Sequence, residues 1–153
     1  METGATKAEI YSQVKGAKVM QVATVAEGQP WAASVYFVVD KHLNFYWLSL
    51  PTARHSRELV ANSKAAIAVA IKPDLPVIGV QAEGGVEEVT QIATISKIMP
   101  KYIKKYGEGK QFLQLAKKGA HKHRLYKFTP SYIQLFDELH YAPSQNPIVF
   151  NCD

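Results

Sequence analysis

Trp31 to Leu50 reads as two strands with almost no chain between them. Trp31 to Val39 is rich in β-branched and aromatic residues, and its alternation sets Trp31, Ala33, Val35, Phe37 and Val39 on one face. Ala32, Ser34, Tyr36 and Val38 fall on the other. Only Asp40-Lys41-His42 separates this run from a second, Leu43 to Leu50. Parallel neighbours need a crossover of roughly a dozen residues or more, so the two runs predict an antiparallel pair.

The same pattern continues on both sides. Lys18 to Glu27 predicts a strand that ends in the turn signal Glu27-Gly28-Gln29-Pro30. Ala65 to Ile71 predicts another, with Ile67, Val69 and Ile71 facing inward. Val77 to Val89 is a long strand, and Gly84-Gly85 in its middle suggests a bulge or bend. Leu125–Phe128 and Tyr132–Phe136 form a last strand region around Pro130. Helices are few. Ala5 to Val14 predicts a short one, with Ile10 and Val14 one turn apart. Ala53 to Asn62 predicts a second, with Thr52 as its N-cap. Ile92 to Tyr106 has helical spacing with a break or kink expected at Pro100, and Phe112 to Ala116 suggests a further short helix. The tail beyond Glu138 reads as irregular. The order predicts an α+β chain, mainly β, built on a small closed or nearly closed barrel of six antiparallel strands flanked by short helices.

At 153 residues a single domain over 1–153 is expected. No apolar run reaches the ~18 residues of a membrane span, and the N-terminus lacks the charged and apolar regions of a signal peptide. One cysteine, Cys152, allows neither a disulfide framework nor a cysteine-based zinc site within the chain. These features lead to an expectation of a cytoplasmic protein. The net charge of +5 would suit an anionic partner, but no stacked aromatic and basic motif accompanies it, so nucleic acid is not expected.

Chemistry concentrates in Trp47-Leu48-Ser49-Leu50-Pro51-Thr52-Ala53-Arg54-His55-Ser56-Arg57, a strand end that runs into a helix start. Amide groups at a helix start are unpaired and carry partial positive charge, which suits a phosphate. Ser49, Thr52 and Ser56 add hydroxyls, and Arg54 and Arg57 add forked cations, with His55 between them. A capped helix with solvated arginines would produce the same pattern.

From Val19 to Val89 the chain resembles the pyridoxamine 5'-phosphate oxidase-like family of FMN-binding split barrels. The residues that carry the likeness are Gln21–Val25 with Gly28–Trp31, Ala33–Phe37, Phe45–Ser49, Arg54-His55-Ser56 leading to Leu59–Asn62, and Gly79–Gly84. Phe128-Thr129-Pro130 and Ile133–Asp137 fit the family's closing strand. The resemblance implies a split barrel, a homodimer, and FMN in a groove at the subunit interface. It implies that Ala33, Ser34, Val35 and Tyr36, running on to Val38, lie along the flavin. It places Leu48, Ser49, Thr52, Arg54, His55 and Ser56 around the phosphate and Gln81 nearby. The oxidase itself has arginine at the position of Ala33, lysines at those of Val38 and His55, and its flavin-contacting glutamine at that of Gly79. The phosphate cradle here has therefore lost positive charge, and the oxidase's substrate residues are not recognisable. The expectation is an FMN-binding oxidoreductase other than pyridoxamine 5'-phosphate oxidase, acting on an unknown small molecule. Its alternative is a non-enzymatic carrier or sensor of flavin, deazaflavin or haem.

Trp31, Tyr36 or Trp47 would flank the flavin. For haem, His55, His121, His123 and His140 are the possible axial ligands, and nothing in the sequence selects one. His121 and His123 alone do not make a metal site, because no carboxylate or cysteine lies close by. Lys97, Lys101, Lys104 and Lys105 read as the solvated face of a helix, and Glu83, Glu87 and Glu88 as surface charges.

Overall fold

A computed structural model describes residues 6–116 and 122–152. Helix α1 (Lys7–Val14) starts from Thr6, whose side chain accepts from the Glu9 amide while the Glu9 carboxylate accepts from the Thr6 amide. Its Ile10 and Val14 are fully buried. Strands β1 (Val19–Ala26) and β2 (Gln29–Tyr36) follow as a hairpin. Glu27 and Gly28 both take positive φ, 52° and 76°, as the tight two-residue turn between twisted strands requires. A short β3 (Val38–Val39) pairs with β4 (Phe45–Ser49), and α2 (Arg54–Ala61) leads to β5 (Lys64–Lys72) and β6 (Ile78–Val89). Next come α3 (Ile92–Tyr106), α4 (Lys110–Ala116), β7 (Arg124–Asp137), a 3-10 turn at Pro143–Gln145, and β8 (Ile148–Asn151).

All strand pairs are antiparallel, in the order β2-β1-β5-β6-β7-β4-β3, with β8 on the free half of β7. The sheet curls into a half-barrel that stays split between β2 and β4, which approach without a hydrogen-bonded ladder. All six expected strands are present, and the described residues hold eight strands in all. One addition arises because β2 stops at Tyr36, leaving Val38–Val39 as a separate strand. The other, β8, corrects the expectation of an irregular tail: Ile148 is buried in the core and Val149 pairs with Gln134.

The alternation of Val35, Phe37 and Val39 places all three in the barrel core with Phe45, Trp47, Phe128 and Ile133. Val38, on the opposite face, joins Tyr46, Leu125, Ile95, Met99 and Tyr102 in a second core under α3. The β3–β4–β7 region is thus buried on both faces. Helix α3 runs through Pro100 and ends at Gly107, whose φ of 73° makes the left-handed cap. Glycine is also demanded at Gly84, where the register of β6 on β7 shifts and skips Ser131. A Cβ there would fall on the Thr129 carbonyl and lie 2.8 Å from Pro130 Cα. Ile71 is only half-buried, so the inward face of β5 is Ala65, Ile67 and Val69. No helix among the described residues is long and apolar enough to cross a membrane.

Candidate functional site

The turn from β4 into α2 gathers most of the expected phosphate residues. Strand alternation turns Ser49 to the barrel side with Phe45 and Trp47, and it is buried. Its Oγ shares a 2.8 Å hydrogen bond with His55 Nε2. Burial holds the His55 pKa below the ordinary histidine value, and the nearby Glu58 carboxylate offsets this only in part. At neutral pH His55 is therefore uncharged. Arg54 Nε donates to Glu58 Oε2 at 3.3 Å, and its guanidinium lies 4.0 Å from the centre of the Trp31 ring. Glu58 is itself buried and also accepts from Thr24 Oγ1 at 3.1 Å. Three elements, β1, β2 and α2, thus hold one arginine in place. Ser56 is 1% exposed and its hydroxyl has no hydrogen-bond partner among the described residues.

Thr52 is exposed in the turn and does not cap the helix. The N-cap is Ala53, which has no side chain to offer, so the first amides of α2 lack a side-chain cap. Propensity favoured threonine, but the Pro51-Thr52 turn delays the helix by one residue.

The remaining expected residues separate into two other places. Tyr36 and Leu48 line a cleft of about 420 Å³ with Tyr102, Phe112, His123 and the loop Gly107–Gln111. Leu48 and Ser49 are consecutive on β4 and so point to opposite faces. Ser34 and Gln81 lie on the outer face of the sheet, where Gln21 Nε2 donates to Ser34 Oγ (3.2 Å) and Gln134 Nε2 to Gln81 Oε1 (3.1 Å). Ladder pairing sets Ser34, Gln21, Ala68, Gln81 and Gln134 in one cross-strand row. Val35 is in the core, while Ala33 is half-buried opposite Val22.

Trp47 is fully buried against Tyr126, so it cannot flank a ligand; Trp31 and Tyr36 remain on the surface. Lys105 departs from the solvated face assigned to it. Its Nζ donates to the Phe37 carbonyl at 2.9 Å and lies 4.2 Å from the Phe37 ring centre. Burial, with Lys18 nearby, pushes its pKa down to about 8. Lys97, Lys101 and Lys104 are exposed as expected. Glu87 and Glu88 form surface ion pairs with Lys127 and Arg124. His123 lies at the cleft, whereas His121 falls outside the described residues. No group of three metal-binding side chains occurs among the described residues.

Sequence reasoning missed Glu58, although its spacing of four from Arg54 on a helix was a usable signal. It also missed Tyr102, Phe112 and the Gly107–Gln111 loop, which reach the cleft only through the packing of α3.

The family model described as pyridoxamine 5'-phosphate oxidase matches residues 6–137. The chain belongs to this family. Among solved structures, a heme binding protein from Mycobacterium smegmatis superposes with a TM-score of 0.75 at 15% identity, covering 97% of this chain and 59% of that one. General Stress Protein 26 from Bacillus anthracis gives a TM-score of 0.68 at 14% identity, covering 95% and 97%. The heme storage protein HutZ from Vibrio cholerae gives 0.63 at 19%, covering 80% and 87%. At these identities the likeness is one of fold. No curated protein matches the chain in sequence.

Proposed function

We infer that this family member binds FMN along the split between β2 and β4 and works as an oxidoreductase in the cytoplasm. The observation that carries the reading is the α2 turn: the Ser49–His55 pair, the fixed Arg54 and uncapped helix amides meet at one end of the split. The buried, unpartnered Ser56 hydroxyl in the same turn supports it. These donors suit a phosphate. Bound there, FMN would supply hydride or electron transfer to a small molecule. The protein's part is to hold the phosphate through Ser49, His55 and Arg54, and to offer the ring system the apolar walls at Tyr36 and Leu48. Among the described residues the turn holds no carboxylate free to act as an acid or base, because Glu58 is engaged by Thr24 and Arg54.

A homodimer completes this reading. The outer face of β2-β1-β5-β6-β7 carries alanines and side-chain amides with few charges, a surface on which two copies of a +5 chain can meet without repulsion.

One observation favours haem as a second reading. His123 lines a cleft with Tyr36, Leu48, Tyr102, Phe112 and the Gly107–Gln111 loop, and two of the similar structures carry heme in their names. Equilibrium titration separates the two. Quenching of FMN emission on binding, lost in Arg54→Ala, is the expected result. A Soret shift with haem that disappears in His123→Ala, without any FMN response, would replace the flavin reading.

A further inference from the structure

We propose that Glu58 sets the anion specificity of the α2 turn, making it a weak, exchangeable phosphate site. The proposal rests on reading this turn as an anion site. A doubly charged phosphate monoester is held tightly where cations outnumber anions around it. Here they are nearly balanced. Arg54 is the cation best placed by other residues, and its Nε is bonded to a buried carboxylate 3.3 Å away. His55 is kept neutral by burial. Arg57 is exposed, where solvent screens it, and Arg124, opposite Ser49 on β7, is paired with Glu88 at 3.1 Å.

Glu58 cannot swing away to release Arg54. Its side chain is 9% exposed, Thr24 Oγ1 holds Oε1, and Trp31 lies 4.0 Å from the guanidinium. Glu58 therefore does two things to Arg54: it fixes the direction of the guanidinium, and it cancels its charge. The first can be done equally well by a neutral amide, whose carbonyl oxygen can still accept from Arg54. Only the second needs a carboxylate. A site built this way selects by hydrogen bonding and shape more than by charge. Flavin phosphate bound to it would come and go, as a co-substrate does.

The test is Glu58→Gln, which keeps the shape and removes the charge. Sulfate is the probe, because it stays doubly charged throughout the accessible pH range and needs no flavin. Trp31 supplies the signal through its contact with Arg54, with Trp31→Phe assigning the emission change. The variant is expected to bind sulfate about tenfold more tightly than wild type, since one unit charge a few ångströms away is worth about that in a partly exposed site. The gain should shrink as ionic strength rises. FMN affinity should rise in parallel, while riboflavin, which has no phosphate, should be unmoved. Glu58→Met removes the charge and the acceptor for Arg54 together, so a sulfate gain in it, should the glutamine variant fold poorly, assigns the effect to charge even with Arg54 less firmly held. Sulfate affinity that is unchanged or weaker in a folded variant overturns the proposal. A sulfate gain without FMN binding in any variant supports the role of Glu58 and overturns the flavin reading. FMN binding that is equal in wild type and both variants does the reverse.

Discussion

The Tyr106 hydroxyl lies 3.0 Å from the Phe37 amide nitrogen and 2.7 Å from the Phe37 carbonyl oxygen, and so bridges the gap between β2 and β3. The same oxygen is 2.8 Å from the Lys18 carbonyl, just before β1. One side chain at the end of α3 therefore satisfies backbone groups that the split barrel leaves without a ladder. Its ring stacks on Tyr36 at 4.7 Å, which couples the wall of the cleft to α3.

Tyr106→Phe keeps the stacking and removes the hydroxyl. The buried Phe37 amide then loses its acceptor, and a loss of about 1–3 kcal/mol is expected. Urea unfolding measures it, with an unchanged slope showing that the denatured state is the same.

Gly84→Ala should be far more damaging than Gly85→Ala. At Gly84 the added methyl meets the β7 backbone, whereas at Gly85 the nearest atom is the Ser63 carbonyl oxygen at 3.9 Å. The expected losses are about 3 kcal/mol or more and about 1 kcal/mol or less, read from thermal or urea midpoints. Equal losses would mean that β6 and β7 do not approach closely at the bulge.

Lys105 gives the protein a pH dependence of definite sign. Its pKa is about 8 in the folded chain and near the ordinary lysine value of 10.5 when unfolded. Between these values the unfolded chain binds more protons, so this group makes stability rise with pH from about 8 toward 10. Below about 8 both states are protonated and the contribution is flat. Comparing wild type with Lys105→Met by unfolding at pH 7, 8, 9 and 10 isolates it, and the variant should lack the rise.

Arg54→Ala is expected to lower FMN affinity at least about tenfold, the scale of a lost charged hydrogen bond. The fold should persist, because Thr24 still donates to Glu58. FMN fluorescence titration and the circular dichroism of the free variant give the two readings. Unchanged affinity would place the phosphate elsewhere.

Ala68 is near the middle of the neutral outer row, between Gln21 and Gln81. Ala68→Arg puts a charge and a long side chain where two copies would meet. Light scattering is expected to show a dimer for wild type and a monomer for the variant; a wild-type monomer would remove the dimer from the proposed function.

Most of the fold was legible in the sequence because its signals are local. The short Asp40–His42 connection predicted an antiparallel pair of two full strands, but only Val38–Val39 pairs with Phe45–Tyr46, because β2 takes β1 as its partner and the barrel stays split between β2 and β4. Period-two alternation did send Val35, Phe37 and Val39 inward. Gly84-Gly85 announced an irregularity in β6. The reading departed from the structure where a neighbouring turn or a tertiary contact outweighed single-residue preference. Thr52 is a good capping residue, yet the Pro51-Thr52 turn gave the cap to Ala53. The tail after Glu138 has weak strand character, and β8 forms because the free edge of β7 offers it a ladder.

The candidate site divides along the same line. Which residue types cluster at the β4-to-α2 turn was readable along the chain, since hydroxyls and cations within eight residues at a helix start need no distant partner. Their charge state and their company come from packing. Burial keeps His55 neutral, and Glu58, Thr24 and Trp31 converge on Arg54 from α2, β1 and β2. Tyr36 and Leu48 share a cleft only because α3 packs across β3, β4 and β7. Desolvation and charge pairing depend on what lies within a few ångströms in space, and neighbours brought together from three elements are not written in any one stretch of chain.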